Sequence, residues 1–98
     1  MSKAVMCDSL EEVRENIDRV DREIVRLLAE RGGYVVQAAG FKRSTDEVRA
    51  PKRVEEVLSR VEALSRELGA SPTVTEGVYR AMISAFIDVE LAEHKASR

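Results

Sequence analysis

The chain has 98 residues, enough for one small domain, and its 16 Lys and Arg residues against 18 Asp and Glu residues give a formal net charge of −2. This balance argues against a general nucleic-acid-binding protein, which usually carries a basic face. A domain of this size buries only about two-thirds of its unfolded surface, so association with a second copy would stabilise it.

The sequence carries no evident targeting, membrane or metal-binding segment. The N-terminus has no apolar run long enough for a signal peptide, and no later run is long enough to span a membrane. Cys7 has no second cysteine with which to form an internal disulfide, and His94 is the single histidine, near a C-terminus that we expect to fray. We therefore expect a cytoplasmic protein with no cofactor and no metal.

The first predicted element is one long helix over residues 9–42. Ser9 with Glu12 forms a capping box, which marks its start. Apolar residues then recur in alternating steps of three and four, as on one face of a helix. We call this row the apolar seam: Leu10, Val13, Ile17, Val20, Ile24 and Leu27. The pair Gly32-Gly33 weakens the helix by about 1 kcal/mol per glycine relative to alanine, so it needs a packing reason.

Two further helices are predicted, over residues 51–68 and 73–94, with no strand pattern anywhere. A connection of eight residues precedes Pro51, which suits a first helical turn, and Gly69 ends the second helix. Thr73 with Glu76 predicts a second capping box for the third helix. The fold class is therefore an all-α chain of three helices in a single domain.

The helix lengths predict an intertwined homodimer. At 1.5 Å per residue the first helix is about 50 Å long and the second about 27 Å. The shorter helices cannot cover the whole apolar seam by lying beside it. We expect the uncovered part to pack against a second copy.

Two cations of the first helix stand at unexpected positions. Arg31 lies where the apolar seam should continue, and Lys42 lies eleven residues later, only about 20° away around the helix. Arg14 is about 100° from Arg31, so it could join them only from another helix of an antiparallel pair. The alternative for Arg31 is a side chain that extends to solvent from the edge of the seam.

The third helix has a matching feature in Glu90, which continues the stripe of Ile83, Phe86 and Ile87. An unpaired buried carboxylate is costly, so Glu90 either serves a site or reaches a basic partner or solvent. Arg53 flanks the apolar stripe of the second helix in its first turn. We expect three other cations of this region to be solvated: Arg43, Arg49 and Lys52.

These charged residues, taken in order, resemble a known family. Arg14, Arg31, Lys42, Arg53 and position 90 are spread over three helices as in the all-helical chorismate mutase family. The segment VRENIDRVDREIVRLLAER is similar to the first helix of that family, and the resemblance covers residues 9–93. The segments FK and APKRV, with the short connection between them, are most similar to the isochorismate pyruvate-lyase branch.

The resemblance implies a homodimer of three-helix chains with two shared active sites for a dicarboxylate that carries an enolpyruvyl ether. Arg14 of one chain and Arg31 of the other would hold its carboxylates, and Arg53 would belong to the same cage of cations. Lys42 would hydrogen-bond the ether oxygen and a carboxylate. The expected lining is completed by Val35, Val57, Ile87 and Glu90. The connection before Pro51 would be a mobile cover.

The sequence leaves the reaction open. Our first interpretation is a chorismate mutase; the alternatives are an isochorismate pyruvate-lyase and, from another class, a non-catalytic helical dimerisation or regulatory module. Glu90 stands where many relatives have glutamine, so activity should fall as rising pH ionises it. Ala50 and Val54 stand where some chorismate mutases carry acidic side chains that hold the ring hydroxyl, which leaves the choice between chorismate and isochorismate undecided.

Overall fold

The computed structural model describes residues 4–96, and every regular element in that range is an α-helix. The all-α prediction is therefore confirmed. No helix within these residues is both long and apolar enough to cross a membrane. The elements in chain order are α1 (Leu10–Phe41), α2 (Thr45–Arg49), α3 (Pro51–Leu68) and α4 (Pro72–Ala96).

The start of α1 is held by side chains on both sides of its first turn. The Ser9 hydroxyl accepts a hydrogen bond from the Glu12 backbone N–H at 3.0 Å, as predicted. The Glu12 carboxylate accepts one from the backbone N–H of Asp8 at 3.2 Å, one residue before the usual partner in a capping box. At the other end, Lys42 is the C-cap and has an extended backbone.

The connection expected as a mobile cover contains the short helix α2. Ser44 caps it by accepting a hydrogen bond from the Glu47 backbone N–H at 3.1 Å, and the Glu47 carboxylate accepts one from the backbone N–H of Arg43. Val48 is only 2% exposed, and α2 packs against α4. The segment is therefore a capped and anchored turn of helix.

The passage from α2 to α3 goes through Ala50, whose backbone is left-handed with φ 39° and ψ 61°. This region costs a residue with a β-carbon about 1–2 kcal/mol. Proline disfavours a right-handed helical conformation for the residue before it, and Pro51 follows directly. The chain thus changes direction within one residue and begins α3 with Pro51 in its first turn.

The start of α4 differs from the prediction. The helix begins at Pro72 instead of Thr73, and the Ser71 hydroxyl accepts a hydrogen bond from the Val74 backbone N–H at 3.4 Å. The predicted capping box of Thr73 with Glu76 is therefore wrong. Proline fits the first helical position, which moves the capping role one step before it, to Ser71.

The helix α4 packs against each of the other three helices. The most deeply buried apolar side chains come from the other helices: Ala39, Val48, Val57 and Val61. By contrast, the residues of the apolar seam are between 38% and 62% exposed, and the chain is 55 Å long in its largest dimension. The first half of α1 thus presents an uncovered apolar face.

Candidate active site

A cavity of about 330 Å³ lies among the four helices. It contains seven of the eight side chains proposed from the sequence as site residues: Arg31, Val35, Lys42, Arg53, Val57, Ile87 and Glu90. Arg31 and Val35 lie in α1 and Lys42 is its C-cap. Arg53 and Val57 lie in α3, and Ile87 and Glu90 lie in α4. Residues that are far apart in the sequence therefore meet at one place.

Arg14 is the one proposed site residue that does not line this cavity. It precedes Arg31 by 17 residues on the same continuous helix, which corresponds to about 25 Å along the axis. Its side chain is exposed. Arg14 cannot reach the cavity of its own chain while α1 remains a helix.

Lys42 and Glu90 form the closest ionic contact of the cavity, with 2.6 Å between Lys42 Nζ and Glu90 Oε2. The Glu90 side chain is 8% exposed, and the Lys42 side chain 27%. Glu90 therefore reaches a basic partner, and this partner is Lys42, which was also proposed from the sequence as a site residue. Among the described residues, buried Oε2 has no hydrogen-bond partner apart from this ionic contact.

Arg31 is positioned by an aromatic ring from α4. The centre of its guanidinium lies 5.1 Å from the centroid of the Phe86 ring, a cation–π contact that contributes about 0.5–1 kcal/mol. Gly32 leaves room for this ring, because a β-carbon there would lie 3.2 Å from Phe86 Cε1. This close approach is the packing reason that the sequence required for Gly32.

Arg53 lies at the rim of the cavity, where its Nη1 is 3.6 Å from Glu56 Oε2. Both side chains are more than half exposed, at 60% and 69%. Exposed ion pairs of this kind contribute about 0–1 kcal/mol. A bound carboxylate could therefore replace Glu56 as the partner of Arg53 at little cost.

Two further arginines line the cavity without having been predicted as site residues. Arg49 was expected to be solvated; it is exposed, but it follows buried Val48, and this anchor places it at the cavity. Arg60 follows Arg53 by seven residues, so both lie on the same face of α3. That spacing was the signal in the sequence that could have identified Arg60.

The charge of the cavity is strongly unbalanced. Five cationic side chains line it together with a single acidic residue, Glu90, although the whole chain is slightly acidic. The walls between them are apolar and come from Val35, Ala38 and Ile87, among others. A cavity of this kind suits a small organic dianion, because the cations hold its charges and the walls exclude water.

The sequence matches the family model described as chorismate mutase type II over residues 13–91. The chain belongs to the chorismate mutase type II family. The matched stretch contains every residue of the cavity and ends three residues before His94.

Two relatives illustrate the range of this family. The chain is 33% identical over 92 residues to an isochorismate pyruvate lyase of Pseudomonas aeruginosa, which covers 94% of this chain and 91% of that protein. It is 31% identical over 87 residues to a bifunctional chorismate mutase/prephenate dehydratase of Aquifex aeolicus, covering 85% of this chain. The match spans only 24% of that larger protein.

The two adjacent glycines of this family member give a stability test. Gly33→Ala should stabilise the chain by about 0.5–1 kcal/mol, because a helix favours alanine and no neighbouring atom lies within 4 Å of the new β-carbon. Gly32→Ala should stabilise the chain less, because the new β-carbon would lie 3.2 Å from Phe86 Cε1 and displace the ring. Chemical denaturation of both variants measures the difference. Equal stabilisation would show that Gly32 is not needed for the approach of Phe86.

Proposed function

We propose that the protein is a chorismate mutase, which rearranges chorismate to prephenate. The observation that supports this most directly is that Arg31, Lys42 and Glu90 line one cavity with apolar walls, inside a chain of the chorismate mutase type II family. The substrate is a dicarboxylate with an enolpyruvyl ether, which fits the excess of cations. The cytoplasmic location expected from the sequence remains a prediction.

The chemistry needs positioning and fixed charge more than a nucleophile. The rearrangement is unimolecular: the ether C–O bond breaks while a C–C bond forms between the enolpyruvyl methylene and the ring, and no atom leaves. Holding the substrate in its compact reactive conformer removes much of the entropic cost. A cation beside the ether oxygen stabilises the negative charge that develops there.

We assign these tasks to residues of the cavity. Arg31 would hold a carboxylate, since a planar guanidinium binds carboxylates in a bidentate way. Phe86 helps to fix its position. Lys42 would act at the ether oxygen, which requires its amine to leave the 2.6 Å contact with Glu90 or to share it. Arg53 would exchange Glu56 for a substrate carboxylate.

Glu90 would act as a hydrogen-bond donor to the ether oxygen in its protonated form. An ionised carboxylate there would repel the oxygen as negative charge develops on it. In the structure the Lys42 ammonium lies 2.6 Å from the Glu90 carboxyl group. A bound dianion would draw this ammonium toward itself and away from Glu90.

The second candidate reaction is that of an isochorismate pyruvate-lyase. Here the same ether bond breaks, a ring hydrogen moves to the enolpyruvyl methylene, and salicylate and pyruvate result. The 33% identity to the Pseudomonas protein of that name favours it. Ala50 and Val54 also line the cavity and offer no side-chain hydrogen bond to a ring hydroxyl in the position that some chorismate mutases hold.

We also propose that two chains form an intertwined homodimer that shares two such sites. The exposed apolar seam of α1 supplies a face for a second copy. Burying a row of half-exposed Leu, Ile and Val side chains stabilises the assembly by about 25 cal/mol per Å² of apolar surface. Arg14, which lies beside this seam and about 25 Å from its own cavity, would then complete the site of the partner chain.

The first test of the reaction is direct turnover. Incubation of the pure protein with chorismate and, separately, with isochorismate should yield prephenate, or salicylate with pyruvate. Lys42→Ala should lower kcat about 10²–10³-fold, because it removes the cation at the ether oxygen. Lys52→Ala is the matched control, since Lys52 is exposed and lies outside the cavity. Turnover of neither substrate would contradict the enzyme and favour a non-catalytic helical module.

The role of Glu90 as a hydrogen-bond donor predicts which substitutions keep turnover. Glu90→Ala should lower kcat about 10²-fold, because it removes the donor at the ether oxygen. Glu90→Gln keeps a side-chain N–H donor and should retain most of the turnover. Glu67→Gln, an exposed change on α3, should leave turnover unchanged. A Glu90→Ala variant as fast as the wild type, or a Glu90→Gln variant as slow as Glu90→Ala, would count against this role.

The shared sites predict complementation between two inactive variants. Arg14→Ala and Arg31→Ala should each lose most activity alone. Refolding an equal mixture should restore about a quarter of wild-type activity, because half of the dimers are mixed and each has one intact site of two. Recovery is measured by the turnover assay and dimer formation by light scattering. A mixture that stays as inactive as its components would exclude an Arg14 contributed by the partner.

A further inference from the structure

His94 is buried and connects the end of α4 to the end of α1. The residue is 5% exposed, and its Nε2 lies 2.9 Å from the backbone carbonyl oxygen of Lys42, 52 residues away in the chain. The expectation that His94 lies in a frayed terminus is therefore wrong. A carbonyl oxygen only accepts hydrogen bonds, so the Nε2 that faces it must carry the hydrogen.

This hydrogen bond satisfies a backbone carbonyl group at the C-terminus of α1. The last carbonyl groups of a helix have no partner within the helix, and those near the interior need another donor. Lys42 is the C-cap of α1, and the last turn of α1 contains no basic side chain that could serve. The ring of His94 supplies a donor from a different helix.

The same face of α4 therefore holds Lys42 at two points. Glu90 and His94 are four residues apart, so their side chains project from one side of the helix. Glu90 contacts the ammonium of Lys42 at 2.6 Å, and His94 donates to its backbone carbonyl at 2.9 Å. Helix α4 thus fixes both the backbone and the ammonium group of Lys42.

We propose that His94 is a positioning residue for Lys42. By holding the backbone at the end of α1, it sets the point from which the Lys42 amine reaches the ether oxygen of the substrate. This inference rests on the proposed function, in which Lys42 acts on that oxygen. A displacement of about 1 Å in a reacting group can lower a rate about 10²-fold, so one hydrogen bond at this backbone position has a large effect. His94 lies outside the stretch that matches the family.

The contact itself can be tested without any substrate. The chain has a single histidine, so its ring signals in a long-range ¹H–¹⁵N NMR spectrum need no assignment. We expect Nε2 to carry a hydrogen in the wild type and also in Lys42→Ala, because the acceptor is a backbone carbonyl that this variant keeps. A neutral ring with its hydrogen on Nδ1 would overturn the inference.

The positioning role is tested by a double-mutant cycle. His94→Leu keeps a buried side chain of similar size and removes the donor; it should lower kcat about 10-fold or more and change KM less than about twofold. In the Lys42→Ala background the same change should have no further effect, because the group it positions is gone. Equal losses in both backgrounds would mean a structural role alone and would overturn the inference.

Two more variants separate positioning from stability. His94→Gln retains a side-chain N–H donor and should recover most of the kcat that His94→Leu loses. Val61→Ala, a buried change on α3 outside the cavity, should lower the free energy of unfolding and leave kcat near the wild-type value. A His94→Gln variant that is folded and as slow as His94→Leu would contradict the role of the hydrogen bond.

The experiments distinguish a failure of this inference from a failure of the proposed function. If the wild type turns over neither chorismate nor isochorismate, the proposed function fails, and the inference, which depends on it, fails with it, whatever the ring signals show. If the wild type is active and His94→Leu keeps its kcat, the proposed function stands and only the positioning role of His94 is lost.

Discussion

The packing of α4 against α1 is the constraint on which the site depends. Phe86, Glu90 and His94 follow one another at steps of four residues, so they form one row along α4. The first contacts the guanidinium of Arg31, and the other two contact Lys42. A rotation of α4 by one residue, about 100°, would break all three contacts together. Arg31 and Lys42 are therefore oriented by the register of a single helix pair.

The geometry of single helices explains how much of the site the sequence could predict. The projection of a side chain from a helix follows from backbone geometry alone, and a charged residue on an apolar row stands out. Arg31, Lys42 and Glu90 were found in this way, and the cavity contains all three. The helical class and the ends at Pro51 and Gly69 also followed from local rules, because proline and glycine act through their own backbone.

The features that the sequence did not show depend on contacts between elements. The signal for α2 was present, since Ser44 and Glu47 have the spacing of a capping box, but five residues form a stable turn only with Val48 buried. Arg49 reaches the cavity as a result of that anchor. His94 was assigned to a frayed end, because its acceptor is 52 residues away and no local pattern indicates it.

Ala50 affects both the conformational energy of the backbone and the shape of the cavity. Its backbone is left-handed, and its side chain lines the cavity next to α3. Glycine at this position would relax the backbone and remove a methyl group from the wall in the same step, whereas a β-branched residue would raise the strain while narrowing the cavity. The shape of the cavity here cannot change without a change in conformational energy, so the shape of the cavity and the stability of the chain are tied together at this one residue.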